Sequence, residues 1–186
     1  MSQPHGIVVF GANGSGKTTL GHELARLLGF KHIDHEDYAF EESETPYAVE
    51  RSRYVCTALM LADIEKHRSF VLSAVTGDFG DIIPQYYKLA VYIEAPMELR
   101  VERVKQRNLE RFSERVLMGG DMYAQQQGFI DFVASRSLVR IEQWSQTLTC
   151  PILRVDGTID WKINAASIVE FYSGMNKSYG LEDIDQ

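Results

Sequence analysis

The stretch Gly11-Ala12-Asn13-Gly14-Ser15-Gly16-Lys17-Thr18 follows directly on the apolar run Ile7-Val8-Val9-Phe10, and its spacing, G-x-x-x-x-G-K-[ST], is that of a phosphate-binding loop. Its chemistry is geometric. Glycines let the backbone wrap around phosphate oxygens, while successive N–H groups and the N-terminus of the following helix point at negative charge. Lys17 reaches the β- and γ-phosphates, and the Thr18 hydroxyl ligates Mg²⁺. The reading takes ATP and Mg²⁺ as the cofactors, with Thr18 on the metal and Gly11, Asn13, Gly14, Ser15, Gly16, Lys17, Thr18 and Thr19 on the nucleotide. A helix with Leu20, Leu24 and Leu27 or Leu28 at helical spacing follows the loop, a context that separates it from a glycine-rich turn that binds nothing.

Working outward, short apolar segments recur at about Phe30–Asp34, Ser69–Val75, Leu89–Glu94 and Ile152–Val155. They lack strict alternation, as parallel strands covered on both faces do. Helical patterns fall between them. The first spans about Gly16 to Leu28 and stops at Gly29. A second is expected from Pro46, capped by Thr45, to about Lys66, with Val55, Leu59 and Ala62 on one face. A third runs from Pro96 to Arg111. A fourth, from Tyr123 to Thr147, carries Ile130, Val133, Ser137, Ile141, Trp144 and Leu148 on one apolar stripe. The last covers Trp161–Tyr172, before a polar, loosely held tail over 173–186. The alternation implies an α/β fold, a three-layer α/β/α sandwich on a five-stranded parallel sheet. Its active site belongs at the carboxyl ends of the strands.

Length and composition agree with one domain: 186 residues, 45% hydrophobic and 11% aromatic, enough for a full core. No stretch approaches the roughly 18 consecutive apolar residues of a membrane span. The opening Met1-Ser2-Gln3-Pro4-His5 has no basic n-region, and Cys56 and Cys150 form no C-x-x-C pair, so a cytoplasmic protein with reduced thiols is expected. A formal charge of −7 argues against a chain that wraps nucleic acid.

Ile33-Asp34-His35-Glu36-Asp37-Tyr38 places three carboxylates within four residues at a strand's carboxyl end. A Mg²⁺·nucleotide or a substrate hydroxyl would relieve their repulsion, and a carboxylate there can orient or deprotonate an attacking oxygen. The alternative is a solvated acidic turn capping the next helix. Asp34 and Asp37 are taken as catalytic. His32 and His35 stand three apart with no further Cys or His nearby, which argues against zinc.

Arg100, Arg103, Arg107 and Arg111 recur at steps of three, four and four, along one helix face, with Met97, Val101 and Val104 on another. Arg115 follows in the adjoining loop, and Arg136 and Arg140 form an i,i+4 pair on the fourth helix. A plain surface face with glutamate partners is one reading. Beside a phosphate loop, a phosphoryl clamp is the other, because guanidinium groups bind phosphate in bidentate fashion. Asp78 is a candidate carboxylate for the metal or a turn residue. Asp156-Gly157-Thr158 either lets backbone approach a base or caps the last helix.

From Gly6 to about Tyr172 the chain resembles the small P-loop kinases of the adenylate, cytidylate and shikimate kinase group. The resemblance is carried by Gly11–Thr18, by Val91-Tyr92-Ile93-Glu94-Ala95-Pro96 with Glu102-Arg103-Val104-Lys105-Gln106-Arg107, and by Val155-Asp156-Gly157-Thr158. It implies sheet order 2-3-1-4-5, a helical acceptor-binding insertion over about 38–67 with Arg51 as an anion contact, and a lid over about 108–128. It also implies that Arg103 packs on the adenine beside Gly157 and that Arg107 reaches the transferring phosphates. Asp37 matches the aspartate after the second strand in nucleotide kinases, and Asp34 the first acidic residue of the shikimate type. Two departures are clear. Nucleotide kinases carry Asp-Gly-Phe-Pro-Arg after strand three, and shikimate kinases Gly-Gly-Gly, where this chain has Ser73-Ala74-Val75. The segment from Arg111 to Met122 is similar to the lid of an uncharacterised bacterial subfamily of P-loop proteins.

The leading expectation is an ATP-dependent kinase acting on a nucleotide or a hydroxyl metabolite. Lys17, Arg107, Arg111 and Arg115 would stabilise the transferring phosphoryl group, and Asp34 or Asp37 would handle the acceptor proton. The alternative is an ATP-binding switch or weak ATPase with no small acceptor.

Overall fold

Helices cover both faces of the sheet, so its strands are apolar on both sides, and along β1 (His5–Phe10) alternate residues serve two separate cores. In this computed structural model, which describes residues 3–43 and 47–178, β1 is flanked by β3 (Ser69–Ala74) and β4 (Tyr87–Glu94). The outer strands are β2 (Lys31–Asp34) and β5 (Ile152–Asp156). The order is β2-β3-β1-β4-β5, with every pairing parallel. This is the expected three-layer sheet.

Ile7 and Val9 pack with Leu20 and Leu24 of α1 (Lys17–Leu28) and with Ala165, Ile168 and Tyr172 of α7 (Trp161–Ser178). Val8 and Phe10 face the other core. There they meet Cys56, Met60 and Ile64 of α3 (Arg53–His67) and Ile141 of α6 (Val139–Ser145). Phe10 stacks on Tyr92 with centroids 4.7 Å apart and takes the edge of Trp144. Fully buried aliphatic side chains contribute roughly 1.5–3 kcal/mol each, so these two cores fix the central strand that carries the phosphate loop. Among the described residues, no helix is long and apolar enough to cross a membrane.

Three boundaries differ from the sequence reading. Thr45 and Pro46 lie outside the described residues, and the second long helix starts only at Arg53. Its cap is Ser52, whose hydroxyl accepts from the Val55 N–H at 3.3 Å. Before it come a short helix, α2 (His35–Ala39), and a bridge between Phe40 and Glu50. The expected helix over Tyr123–Thr147 is two helices, α5 (Tyr123–Ser135) and α6. The chain becomes extended at Arg136 (ψ 122°), and the Ser137 hydroxyl accepts from the Val139 N–H. Val133 and Ile141 are buried as expected, but Ser137 is exposed at the break. Arg136 and Arg140 therefore do not share a helix. Finally, α7 continues through Ser178, taking in the first residues of the segment read as a loose tail.

Candidate active site

The phosphate loop joins β1 to α1 with no side chain capping the helix. Gly16 is the N-cap, in left-handed geometry at φ 105°, so the first N–H groups of α1 are left for a ligand. Gly14 is also left-handed at φ 78°, and it abuts the first turn of α4 (Met97–Phe112). A Cβ there would collide with the Arg100 carbonyl, whose carbon would lie 2.9 Å away. Gly14→Ala is accordingly expected to cost about 2 kcal/mol or more through strain and lost packing. A thermal melt lowered by roughly 4–8 °C would report it, and an unchanged melt would contradict this packing.

A cavity of about 1030 Å³ opens over the loop at the carboxyl ends of the strands. Asn13, Gly14, Ser15, Gly16, Lys17, Thr18 and Thr19 line it from the loop, and Asp34, Asp37, Arg103, Arg107, Arg111 and Gly157 from the surrounding elements. Gly11 does not line it. That residue stands behind the loop against Ile93 of β4, its N–H donating to the Val75 carbonyl. Arg115 is also elsewhere: it points along the 113–122 connection and pairs with Asp121 at 2.7 Å. Asp78 is held by Arg53 at 3.1 Å and lies outside the cavity lining.

Lys17 folds back so that Nζ donates to the Ala12 carbonyl at 2.8 Å. Burial pulls its pKa down to about 8, with the Arg107 and Arg136 charges adding to the shift and Glu36 and Asp34 opposing it. The Thr18 hydroxyl donates to Asp34 Oδ2 at 2.7 Å, while Asp34 Oδ1 accepts the Glu36 N–H at 3.0 Å. Asp34 thus caps α2, as the alternative reading of the acidic turn has it, and also touches the loop through Thr18. Asp37 is committed to neither contact, and burial, then the Asp34 charge, raise its carboxyl above the ordinary value.

Where nucleotide kinases carry an aspartate after strand three, Ser73 is buried. Its hydroxyl donates to the Lys17 carbonyl at 3.2 Å and lies 3.0 Å from His32 Nε2. Asp34 pairs in register with Ser73 on the neighbouring strand, so the carboxylate beside Thr18 comes from β2.

The arginine stripe divides along α4. The phosphate loop covers the first turn, and Arg100 is buried there with Nε donating to the Ala95 carbonyl at 3.2 Å. Arg103 is pinned between the carbonyls of Ser15 (3.1 Å) and Gly157 (2.9 Å). Gly157 is required by close approach, since a Cβ would lie 2.8 Å from the Glu94 carbonyl. Arg107 faces the cavity with a buried Nε that has no hydrogen-bond partner. Arg111 donates to the Tyr47 hydroxyl. Arg51 does not stand as an anion contact, because its guanidinium donates to the carbonyls of Tyr38 (3.2 Å) and Phe40.

Two features went unread in the sequence. Arg136, released by the break between α5 and α6, donates to Asn13 Oδ1 in the loop at 2.8 Å. Glu36 lines the cavity beside Asp37; its place in the acidic run was the available signal.

Comparison with known proteins agrees with this geometry. Over 158 residues the chain is 28% identical to the uncharacterised protein YqaC of Bacillus subtilis, covering 81% of this chain and 87% of that one. Over 94 residues it is 34% identical to the probable gluconokinase of Mus musculus, covering 45% of this chain and 51% of that protein. Among solved structures, deoxyadenosine kinase from M. mycoides with bound dATP superposes with a TM-score of 0.57 at 15% identity, over 90% of this chain and 98% of the other. Shikimate kinase from Acinetobacter baumannii does so with a TM-score of 0.53 at 19% identity, over 93% and 94%. Residues 7–117, more than half of the chain, match the AAA domain family. The chain belongs to that family of P-loop proteins, and its sheet order and flanking helices are those of the small P-loop kinases.

Proposed function

We propose that this protein is a Mg·ATP-dependent phosphotransferase that passes the γ-phosphoryl group of ATP to a hydroxyl of a small molecule. One observation carries the reading: the phosphate loop, the unpartnered Arg107 N–H and the Asp37 carboxylate open onto a single cavity large enough for two substrates. The kinases among its relatives and structural neighbours support it.

The Thr18 hydroxyl and Asp34 carboxylate, in contact beside the loop, are hard oxygen donors of the kind Mg²⁺ takes from a protein while phosphates and water complete its shell. They would hold the ion, which when bound neutralises charge on the β- and γ-oxygens. Lys17 exchanges the Ala12 carbonyl for a phosphate oxygen, and Arg107 donates to the transferring group. Arg111 contributes from the next turn of the same helix. Arg103 and Gly157 form the platform for the base. Asp37, which opens onto the cavity, accepts the acceptor's proton. As the acceptor oxygen bonds to the γ-phosphorus, the bond from that phosphorus to the β,γ-bridging oxygen breaks, and its electron pair leaves with ADP. The proton passes from Asp37 to water. We assign residues 108–128 as a lid that excludes water during transfer, with Asn108 and Gln126, hydrogen-bonded at 2.7 Å, closing its base.

The test is mass spectrometry of products formed from Mg·ATP and a panel of nucleosides, nucleoside monophosphates and hydroxylated metabolites. A phosphorylated product is expected. Slow hydrolysis of ATP with no phosphorylated acceptor would identify a nucleotide switch instead.

A further inference from the structure

Resting on the place proposed above for the base, beside Arg103 and Gly157, we infer that Asn164 selects the base of the nucleotide. Its side-chain oxygen accepts from the 6-amino group of adenine, and the site discriminates against purines that carry a carbonyl at that position. The connection between β5 and α7 supplies the setting. Gly157, Thr158, Ile159, Asp160 and Trp161 line one part of the cavity, and Asn164, in the first turn of α7, lines it with them.

The orientation of the Asn164 amide follows from its partner. A backbone carbonyl can only accept, so the amide nitrogen is the atom that faces the Asp156 carbonyl, and it donates there at 2.9 Å. Asp156 immediately precedes Gly157, which puts this amide beside the platform for the base. The other branch, Oδ1, makes no hydrogen bond among the described residues. Asn164 is only 7% exposed, yet Oδ1 is not among the buried side-chain atoms without a partner, which are Ser15 Oγ, Arg100 Nη1 and Arg107 Nε. An acceptor with unused lone pairs therefore opens onto the cavity, on a side chain that the Asp156 contact holds in place.

Neighbouring side chains are turned to the protein itself. Asp160 Oδ1 accepts the Lys162 N–H at 2.7 Å, and both oxygens of Glu23 take the Arg26 guanidinium. Arg103 gives its fork to the carbonyls of Ser15 and Gly157. An amide oxygen shielded from bulk water favours a donor, and the 6-amino group of adenine supplies one. A 6-carbonyl in the same place would set oxygen against oxygen and leave both unpaired. The amide nitrogen that could answer a carbonyl is already spent on Asp156.

The experiment is calorimetric titration with the magnesium complexes of ATP, purine riboside triphosphate and inosine triphosphate, which differ at position 6 of the base and need no acceptor. ATP is expected to bind about tenfold more tightly than the analogue with hydrogen at that position, and about 100-fold more tightly than the 6-carbonyl compound. In Asn164→Leu both preferences are expected to shrink to about twofold, since the reading oxygen is gone. Asn164→Asp keeps an oxygen for the base but loses the donor to Asp156. That variant should melt at a lower temperature and still favour ATP over inosine triphosphate by about tenfold or more. Equal losses for all three nucleotides in Asn164→Leu would make Asn164 a tie within the β5–α7 connection and overturn the inference. Tighter binding of inosine or guanosine triphosphate than of ATP by the parent protein would overturn it as well. Either result leaves the phosphotransferase reading in place, because that is judged from products. Binding of none of these triphosphates would remove the nucleotide site and the inference with it.

Discussion

On the proposed phosphotransfer, Lys17→Ala is expected to lower phosphoryl transfer by about three orders of magnitude or more, because it would remove the cation assigned to the β- and γ-oxygens. The fold should not suffer. The Lys17 ammonium donates to the Ala12 carbonyl, and burial lowers its pKa to about 8. Its charged form is therefore disfavoured on folding. By linkage that cost is fully present below pH 8 and is relieved as pH rises from about 8 toward the unfolded value. At pH 7 the alanine variant should melt at or above the temperature of the parent. A bound triphosphate works in the opposite direction and raises the Lys17 pKa, so the complex holds a proton that the free protein gives up above pH 8. ATP affinity should be level below about pH 8 and decline above it, with proton uptake on binding. Calorimetric titrations in buffers of different ionisation enthalpy measure this directly. The slope should vanish in Lys17→Ala. Retention of transfer activity or of the pH slope in that variant would defeat the assignment of Lys17.

The phosphate loop and the five strands were legible because each is a local signal. The loop has fixed glycine spacing, and every strand is a short apolar run between helices. The sheet order came through the resemblance to small kinases and agrees with the observed pairing. The break at Arg136 was not legible, because α5 and α6 bury the same phase of the apolar stripe. Val133 and Ile141 are both fully buried, and a periodicity reading runs straight through the gap. Nothing local marks the consequence, a contact between Arg136 and Asn13 across most of the chain. The arginines show the same limit. Spacing placed Arg103, Arg107 and Arg111 on a common face, and all three do line the cavity. That Arg100 is covered by the loop, and that Arg115 turns to Asp121, depends on tertiary packing that helical periodicity does not encode. The start of α3 belongs to the same class. Proline at a first helical turn is a sound signal, yet Phe40 and Glu50 form a bridge and the helix begins only after Ser52.

Replacement of Arg107 by alanine is the sharpest test of how charge is handled in the cavity. Its Nε is buried without a hydrogen-bond partner, in a protein where Arg103 one turn earlier is fully engaged by two carbonyls. A buried donor without a partner costs about 1–3 kcal/mol, so the fold gains nothing from Arg107 at that atom. Its charge also acts against that of Lys17. Unlike the unpaired nitrogen of Arg100, which lies outside the cavity lining, this donor opens where a substrate phosphate can supply its partner. Arg107→Ala is thus expected to hold or raise the melting temperature while turnover falls by about two to three orders of magnitude, the loss typical of a group that stabilises transition-state charge. The Michaelis constant for ATP should change far less than turnover, because the interaction tightens as charge develops on the transferring phosphoryl group. Arg107→Lys, which keeps the charge but not the planar fork, should recover only part of the loss. A variant that loses stability or solubility and keeps its turnover would instead make Arg107 one more surface residue of α4, and the phosphoryl clamp would have to be sought elsewhere in the cavity.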